Sequence, residues 1–169
     1  MPKRKLASSQ EATGSASSSQ EEAHAQAWLL KSEPDDYSID HLIRDSWTCW
    51  DGVRNVVARK NLRAMRAGDA CLFYHSSCGK MVGVVGTCQV KRAAYPDPAD
   101  EKWAVVDVSF GSKFDSPLLL PALKAEADGR LQGMVLFTQP RLSVQPVSMA
   151  HYAEILRMAN MQAVPQKPE

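Results

Sequence analysis

Residues 70–76, ACLFYHS, and residues 81–92, MVGVVGTCQVKR, decide the fold class, because they predict two consecutive strands around a Ser77-Cys78-Gly79 turn. Residues 103–110 alternate along WAVVDVSF and predict a further strand. Strands at short spacing, with few helices and no β-α-β repetition, favour a closed or nearly closed barrel. Gly83-Val84-Val85-Gly86 lacks the lysine and the helix of a phosphate loop, so its glycines indicate a strand that bends or packs closely.

The rest of the chain supplies short helices and additional strands around this core. Ser38 and Asn55 are residue types that cap helices, and apolar residues follow each of them at helical spacing. The additional expected strands are residues 28–31, 118–120, 134–138 and 141–145. The expected helices begin at Ser38, Asn55, Pro121 and Ser148. The helix that begins at Asn55 is expected to end at Gly68, and the one that begins at Pro121 at Glu126. We therefore predict an α+β fold, a small mixed β-barrel of about five to six strands flanked by short helices.

The composition of the chain changes near residue 28. Residues 1–27 are rich in Ser, Ala, Gln and Glu, which predicts a flexible polar tail, then a domain at residues 28–163 and a C-terminal tail at residues 164–169. The first tail opens with Pro2-Lys3-Arg4-Lys5, which is typical of a nuclear-import or nucleic-acid patch and also of a basic solvated terminus. The sequence has no membrane-length apolar run and no visible signal peptide, which indicates an intracellular protein without a membrane partner.

Charge is distributed unevenly along the chain. The net charge of +1 does not itself predict a nucleic-acid partner. The segment from Asp51 to Arg66, however, contains five basic residues and one acidic residue, and Arg59 and Arg63 have the spacing of one helix face. Such a face suits phosphates, because a guanidinium offers a planar fork of donors. A solvated helix with ion pairs to its neighbours would give the same pattern.

Residues that could support catalysis or bind a metal are few. Tyr74-His75-Ser76 ends a predicted strand, and a catalytic triad is recognised by geometry, so a hydrolytic site stays open. Cys49, Cys71, Cys78 and Cys88 form no C-x-x-C pair, and the His75 to Cys78 spacing has no matching second pair. We therefore expect free thiols, no metal and no cofactor.

Aromatic residues near turns suggest a different kind of site. Trp50 lies at a turn beside Asp51, close to Arg54 and Asn55 in sequence. An aromatic ring with such neighbours can stack an unpaired base and hydrogen-bond its edge, although the ring could instead fill the barrel.

Several segments together resemble the EVE domain family. The matching segments are Trp28-Leu29-Leu30-Lys31-Ser32-Glu33-Pro34 with Tyr37-Ser38, Trp50-Asp51-Gly52-Val53-Arg54-Asn55 with Ala58-Arg59 and Leu62-Arg63-Ala64-Met65, Leu72-Phe73-Tyr74-His75-Ser76, Ala94-Tyr95-Pro96-Asp97, and Arg141-Leu142-Ser143-Val144-Gln145-Pro146. They occur in the order found in the family. The resemblance implies a PUA-like barrel, related in shape to YTH and ASCH domains. The chain departs from the family at Tyr152, where Trp is expected, and residues 110–133 fit poorly.

The resemblance also implies a function, the binding of modified nucleobases in DNA or RNA. Within the family the chain resembles the thymocyte nuclear protein type, which is associated with 5-hydroxymethylcytosine in DNA and with the nucleus. Carried onto this chain, the base-binding pocket would comprise Lys31, Ser32, Glu33, Trp50, Val53, Arg54, Asn55, Tyr74, His75, Ser76, Tyr95, Pro96, Arg141 and Ser143. Aromatic groups would stack the base, and Arg54, Asn55 and Ser32 would contact its polar edge. The phosphates would be bound by Lys31, Arg59, Arg63 and Arg141.

We therefore expect a monomeric nucleic-acid binding module that is not an enzyme. Its expected location is the nucleus, with the cytoplasm as a second compartment. One alternative is a nuclease or hydrolase that acts on modified nucleotides through His75 and its neighbours. Another is a module that binds a peptide in the same groove.

Overall fold

The computed structural model describes residues 26–163, over which six strands and five α-helices follow one another. The strands are β1 Gln26–Ser32, β2 Trp47–Trp50, β3 Ala70–His75, β4 Gly83–Asp97, β5 Asp100–Leu119 and β6 Val144–Ser148. The helices are α1 Ile39–Asp45, α2 Val56–Ala64, α3 Leu120–Ala125, α4 Val135–Thr138 and α5 Met149–Ala163, with a 3₁₀ turn at Gly79–Met81. The predicted tails, apart from residues 26 and 27 in β1, lie outside the described residues.

The strands form one mixed sheet in the order β2-β5-β4-β3-β1-β6. Strands β1 and β3 run parallel, with Trp28 opposite Cys71, whereas the other neighbours run antiparallel. The register shifts several times between β4 and β5, and such irregularities increase the bend and twist of long strands. The predicted α+β class, with a small mixed barrel-like sheet of about five to six strands, is confirmed, although the sheet is open between its edge strands β2 and β6.

Helix α2 joins parts of the sheet that are not hydrogen-bonded to each other. It contacts β4 and β5 on one side and the edge strand β6 on the other. The Asn61 side chain donates a hydrogen bond of 2.8 Å to the Val144 carbonyl. Ala58 and Leu62 are fully buried beneath the helix, so α2 closes the barrel interior where the sheet itself stays open.

Two apolar cores lie on opposite faces of the sheet, because successive strand residues point to opposite sides. Trp28, Leu30 and Phe73 belong to the inner core, beneath α1 and α2. Leu29 and Leu72, one residue away, belong to the outer core. Side chains of α3, α4 and α5 complete the outer core: Leu123, Leu136 and Ile155.

The glycines of β4 lie where the backbone of β5 comes close. A Cβ atom added to Gly86 would lie 2.2 Å from the Ser112 carbonyl oxygen, and one added to Gly83 would lie 2.3 Å from that of Leu118. The close packing predicted for this strand is therefore confirmed.

The helix caps were predicted correctly. The Ser38 side chain accepts a hydrogen bond from His41 N–H, and the Asn55 Oδ1 atom accepts one of 2.9 Å from Ala58 N–H. Ser148 accepts one of 3.1 Å from His151 N–H at the start of α5. Helix α2 ends at Ala64 rather than at Gly68.

Several strand assignments differ from the prediction. Strand β4 runs to Asp97 rather than to Arg92, and β5 spans Asp100–Leu119, so it includes the separate short strand predicted at residues 118–120. Residues 134–138 were predicted as a strand but contain the one-turn helix α4, because so short an apolar run has no period that separates the two structures. Strand β6 begins at Val144 rather than at Arg141, since buried Gln145 donates to the carbonyls of Gln139 and Leu142 and holds residues 139–142 in a turn. The edge strand β2 was not predicted, because it has only four residues.

Candidate functional site

The main cavity opens where β1 and β3 end and has a volume of about 900 Å³. Because these strands are parallel neighbours, their C-terminal ends meet at the same edge, where Ser76 N–H donates 2.9 Å to the Ser32 carbonyl. The main cavity is lined by Lys31, Ser32, Glu33, Asp36, Tyr37, Thr48, Cys49, Trp50, Asp51, Gly52, Val53, Arg54, Ser76, Ser77, Pro140, Arg141 and Ser143. The walls thus combine carboxylates, hydroxyls, guanidinium groups and aromatic rings.

Hydrogen bonds fix the polar wall formed by β1 and the loop after it. The Ser32 hydroxyl donates 2.6 Å to the Tyr37 carbonyl, and the Ser77 hydroxyl donates 3.0 Å to the Glu33 carboxylate. Glu33 is exposed on the loop and accepts this bond across the cavity mouth. These bonds hold the loop before α1 against the end of β3, which fixes the shape of this wall.

Lys31 connects β1 to the turn before β6. Its backbone N–H donates 2.9 Å to the Ser143 carbonyl, and its Nζ atom donates to the Pro140 carbonyl. The ammonium group also lies 5.1 Å from the centre of the Tyr74 ring. Burial lowers the pKa of Lys31, because desolvation disfavours the charged form. The ammonium therefore stabilises the Pro140 side of the cavity.

Arg54 reaches the main cavity from the loop between β2 and α2. Its guanidinium lies 3.2 Å from the Asp97 carboxylate and 5.5 Å from the centre of the Trp103 ring. Asp97 is 5% exposed and Arg54 is 45% exposed, so a buried anion anchors a cation that still faces solvent. Asp97 also accepts a bond of 2.9 Å from Ala99 N–H. This arrangement holds a row of N–H donors ready for a polar ligand.

The aromatic wall differs from what the sequence suggested. Trp50 lines the main cavity but is only 7% exposed and packs edge-on against Phe73, with 5.5 Å between ring centres. Tyr37 is less buried and also lines the main cavity, with its hydroxyl donating 3.0 Å to Asp45. Trp50 therefore contributes a fixed wall, and Tyr37 adds an aromatic ring that the prediction omitted.

Nine of the predicted pocket residues line the main cavity, namely Lys31, Ser32, Glu33, Trp50, Val53, Arg54, Ser76, Arg141 and Ser143. Five lie outside its lining. Asn55 caps α2, Tyr74 is buried in the outer core and Pro96 is exposed on β4. The Tyr95 hydroxyl donates 2.6 Å to buried Asp107, and this bond raises the Tyr95 pKa. His75 accepts a bond of 3.1 Å at Nε2 from Ile39 N–H, the first residue of α1.

His75 contacts helix α1 and does not line the main cavity. Burial lowers its pKa, which favours the neutral imidazole that can accept from Ile39 N–H. Its ring packs edge-on against Phe73 at 5.6 Å. These contacts make His75 a structural anchor for α1.

Sequence reasoning missed eight residues that line the main cavity. They are Asp36, Tyr37, Thr48, Cys49, Asp51, Gly52, Ser77 and Pro140. Tyr37, Asp51 and Gly52 belong to the segments that resemble the EVE domain family, so the sequence carried a signal for them. Thr48 and Cys49 belong to β2, and without that strand nothing in the sequence brings them to the cavity.

The predicted phosphate ligands lie partly in the lining of the main cavity and partly on α2. Lys31 and Arg141 line the main cavity, and Arg63 is exposed on α2. Arg59 donates 2.9 Å to the Lys102 carbonyl and lies 5.0 Å from the centre of the Trp103 ring. Trp103 thus holds both Arg54 and Arg59, which links the main cavity to the basic face of α2.

A second, shallower cavity of about 320 Å³ adjoins the main one. It is lined by Asn55, Val57, Gln139, Pro140, Arg141 and Leu142. Pro140 and Arg141 line both cavities, so the turn before β6 forms the ridge between them.

Residues 26–163 contain no cluster of three or more His, Cys, Asp or Glu side chains arranged to hold a metal ion. Nor does any helix in this range have the length and apolar character needed to cross a membrane.

The sequence model of the EVE domain family matches residues 26–158. The chain belongs to the EVE domain family. Human thymocyte nuclear protein 1 is 36% identical to this EVE domain protein over an alignment that covers 78% of this chain and 72% of that protein. The resemblance found in the sequence is therefore confirmed.

Solved structures share the fold of this EVE domain. A hypothetical protein from Leishmania major matches with 44% identity and a TM-score of 0.77, covering 82% of this chain and 97% of that chain. The human THYN1 protein in complex with 5-methylcytosine containing DNA matches with 32% identity and a TM-score of 0.75, covering 85% and 100%. The YTH domain of Zygosaccharomyces rouxii MRB1 shares only the fold, with 15% identity, a TM-score of 0.52 and coverage of 86% and 89%.

Proposed function

We propose that this EVE domain is a nucleic-acid binding module that reads a modified base, held in the main cavity, and that it is not an enzyme. The observation that carries the proposal is the cavity itself, with a fixed aromatic wall, hydroxyl and carboxylate groups, and Arg54 anchored at its border. The DNA complex of the human THYN1 protein supports it, because that chain is covered completely at 32% identity.

We further propose a cytosine with a substituent at carbon 5 as the base, in DNA. The exposed edge of cytosine carries both a donor and acceptors, so it needs acceptors and donors from the protein. Glu33 and Asp51 supply carboxylate acceptors in the lining, and Arg54 supplies N–H donors. The Ser32 hydroxyl donates to the Tyr37 carbonyl, so it would accept a hydrogen bond from the base. Trp50 and Val53 offer an apolar surface for the base and its substituent. A hydroxymethyl group would add one hydroxyl to this contact.

Phosphate contacts in this proposal come from cations around the mouth. Arg141 lies at the rim, and Arg59 and Arg63 extend the positive surface along α2. These residues would bind any sequence, with a strength that falls as salt rises. We also propose a monomer in the nucleus, with the cytoplasm as a second compartment. The name of the human relative supports the nuclear location.

The first experiment is a fluorescence-anisotropy titration at fixed salt. Matched oligonucleotides would carry cytosine, 5-methylcytosine or 5-hydroxymethylcytosine, each as duplex DNA and as RNA. We expect a preference of about tenfold for one modified base, or about 1.4 kcal/mol, which one or two good hydrogen bonds can supply. Equal affinity for all of them would refute the proposal.

Two charge-neutralising variants separate base recognition from phosphate binding. Arg54→Gln should reduce the preference for the modified base, because Arg54 lines the main cavity. Arg63→Gln removes the same charge from an exposed position on α2 and should weaken all complexes alike. The Arg54→Gln, Asp97→Asn double variant removes both partners of the buried pair, so a loss of preference there cannot be blamed on an unpaired carboxylate. Retained preference in both Arg54 variants would contradict the assigned role.

A further inference from the structure

The second cavity has no role in the function proposed so far. Its floor is apolar, with Leu142 only 7% exposed and Pro140 beside it. Its outer wall is Val57, which is 49% exposed at the start of α2. Val57, Pro140 and Leu142 together give this concave site an apolar surface that a ligand could cover, because burying apolar area is favourable.

The surroundings of the second cavity are polar and cationic. Asn55 and Gln139, two residues with amide side chains, are among its lining residues. Helix α2, which starts at this cavity, carries Arg59, Lys60 and Arg63 and has no acidic residue. An apolar floor beneath amide groups and cations matches a nucleotide, which combines a flat base, hydrogen-bonding edges and a negative phosphate.

Arg141 determines how the two cavities are related. It is exposed on the turn before β6 and lines both of them. Two ligand groups bound on either side of this ridge would therefore be neighbours, joined across the Arg141 guanidinium. Consecutive nucleotides of one strand are joined by a phosphate, whose oxygens match the fork of donors of a guanidinium.

We propose that the second cavity binds the nucleotide next to the recognised base, with its base against Val57 and Leu142 and the connecting phosphate on Arg141. This inference rests on the proposed function. The domain then reads the modified base together with an unpaired neighbour on one side. Its affinity depends on whether that neighbour carries a base.

The test uses single-stranded DNA oligonucleotides with one central 5-methylcytosine. An abasic residue is placed directly before the modified base, directly after it, or several positions away. We expect one adjacent position, and only one, to lower the affinity by about fivefold, the low end of the effect of a stacked base. The distant abasic residue should have little effect.

Two serine variants show whether the second cavity causes this effect. Val57→Ser should weaken binding of the complete oligonucleotide and remove the penalty of the adjacent abasic residue. Val56→Ser is the matched control, because Val56 is the preceding residue, is 62% exposed and lies outside the lining. It should keep the penalty unchanged. Both substitutions lie at the exposed start of α2, so the fold should tolerate them.

The outcomes distinguish this inference from the function on which it rests. A preference for 5-methylcytosine over cytosine, combined with equal effects of the three abasic positions, would overturn the inference and leave the base reader standing. An abasic penalty that persists in Val57→Ser would also overturn it. If the wild-type protein showed no preference for 5-methylcytosine over cytosine, both this inference and the proposed function would be overturned.

Discussion

Removing Arg54 should lower the stability of the protein as well as its selectivity. Asp97, its partner at 3.2 Å, is 5% exposed, so Arg54→Gln would leave a buried carboxylate without its cationic partner, while the Ala99 N–H still donates to it. Breaking a fully buried ion pair costs about 3–5 kcal/mol. Because Arg54 is 45% exposed and water screens the pair, we expect about 2 kcal/mol instead.

Chemical and thermal unfolding measure this cost. For a domain of this size, a loss of about 2 kcal/mol should lower Tm by roughly 4–8 °C. Urea titrations of wild type, Arg54→Gln, Asp97→Asn and the double variant form a cycle that yields the interaction free energy. The Gln side chain of the double variant can accept a hydrogen bond from the new Asn, so we expect it to be more stable than Arg54→Gln.

Arg63→Gln supplies the control, because it removes an exposed arginine from the same region. It should change the free energy of unfolding by no more than about 0.5 kcal/mol. Equal losses of stability in Arg54→Gln and Arg63→Gln would refute the argument. Additive effects of Arg54→Gln and Asp97→Asn in the cycle would also refute it. Either result would mean that Asp97 does not depend on Arg54.

Two further predictions concern stability. Burial lowers the pKa of His75, so the unfolded chain binds a proton at this residue more readily than the folded chain does. The free energy of unfolding should therefore fall as the pH drops from about 7 through the unfolded pKa near 6.5. His75→Gln should flatten this dependence in urea titrations between pH 7 and pH 5. Gly86→Ala should lower the free energy of unfolding by roughly 2 kcal/mol or more, because the new Cβ atom would lie 2.2 Å from the Ser112 carbonyl oxygen. Gly129→Ala is the control and should cost far less, because the close contact of its Cβ atom is with the flexible end of the Glu126 side chain. Equal losses in the two alanine variants would contradict the second prediction.

The parts of the fold that local chemistry determines were predictable. Ser38, Asn55 and Ser148 cap helices because their side chains can accept a backbone N–H. The β-branched and aromatic residues of β4 and β5 indicated that these segments form strands. Strand β2 and helix α4 were not predictable, because segments of four residues depend on the neighbours that they contact.

The residues of the candidate site were likewise predictable only in part. Residues quoted in blocks, such as Ser32 and Arg54, reach the main cavity because a strand end or a tight turn carries them there. Tyr74 and His75 belong to an equally clear block, yet β3 buries Tyr74 on the outer face and turns His75 toward α1. A sequence block identifies a type of segment but not the direction of each side chain, which the alternation of the strand determines.

The turn from Trp50 to Asn55 shows how one short segment can serve a whole binding surface. Trp50 ends β2 as a wall of the main cavity, and Arg54 lines the cavity while contacting Trp103. Asn55 then caps α2, the helix whose cations extend the positive surface, and lines the second cavity. Base recognition, phosphate binding and the contact with a neighbouring nucleotide would therefore share one rigid connection. A substitution that shifts this turn should weaken all of them together, whereas Arg63→Gln should affect phosphate binding alone.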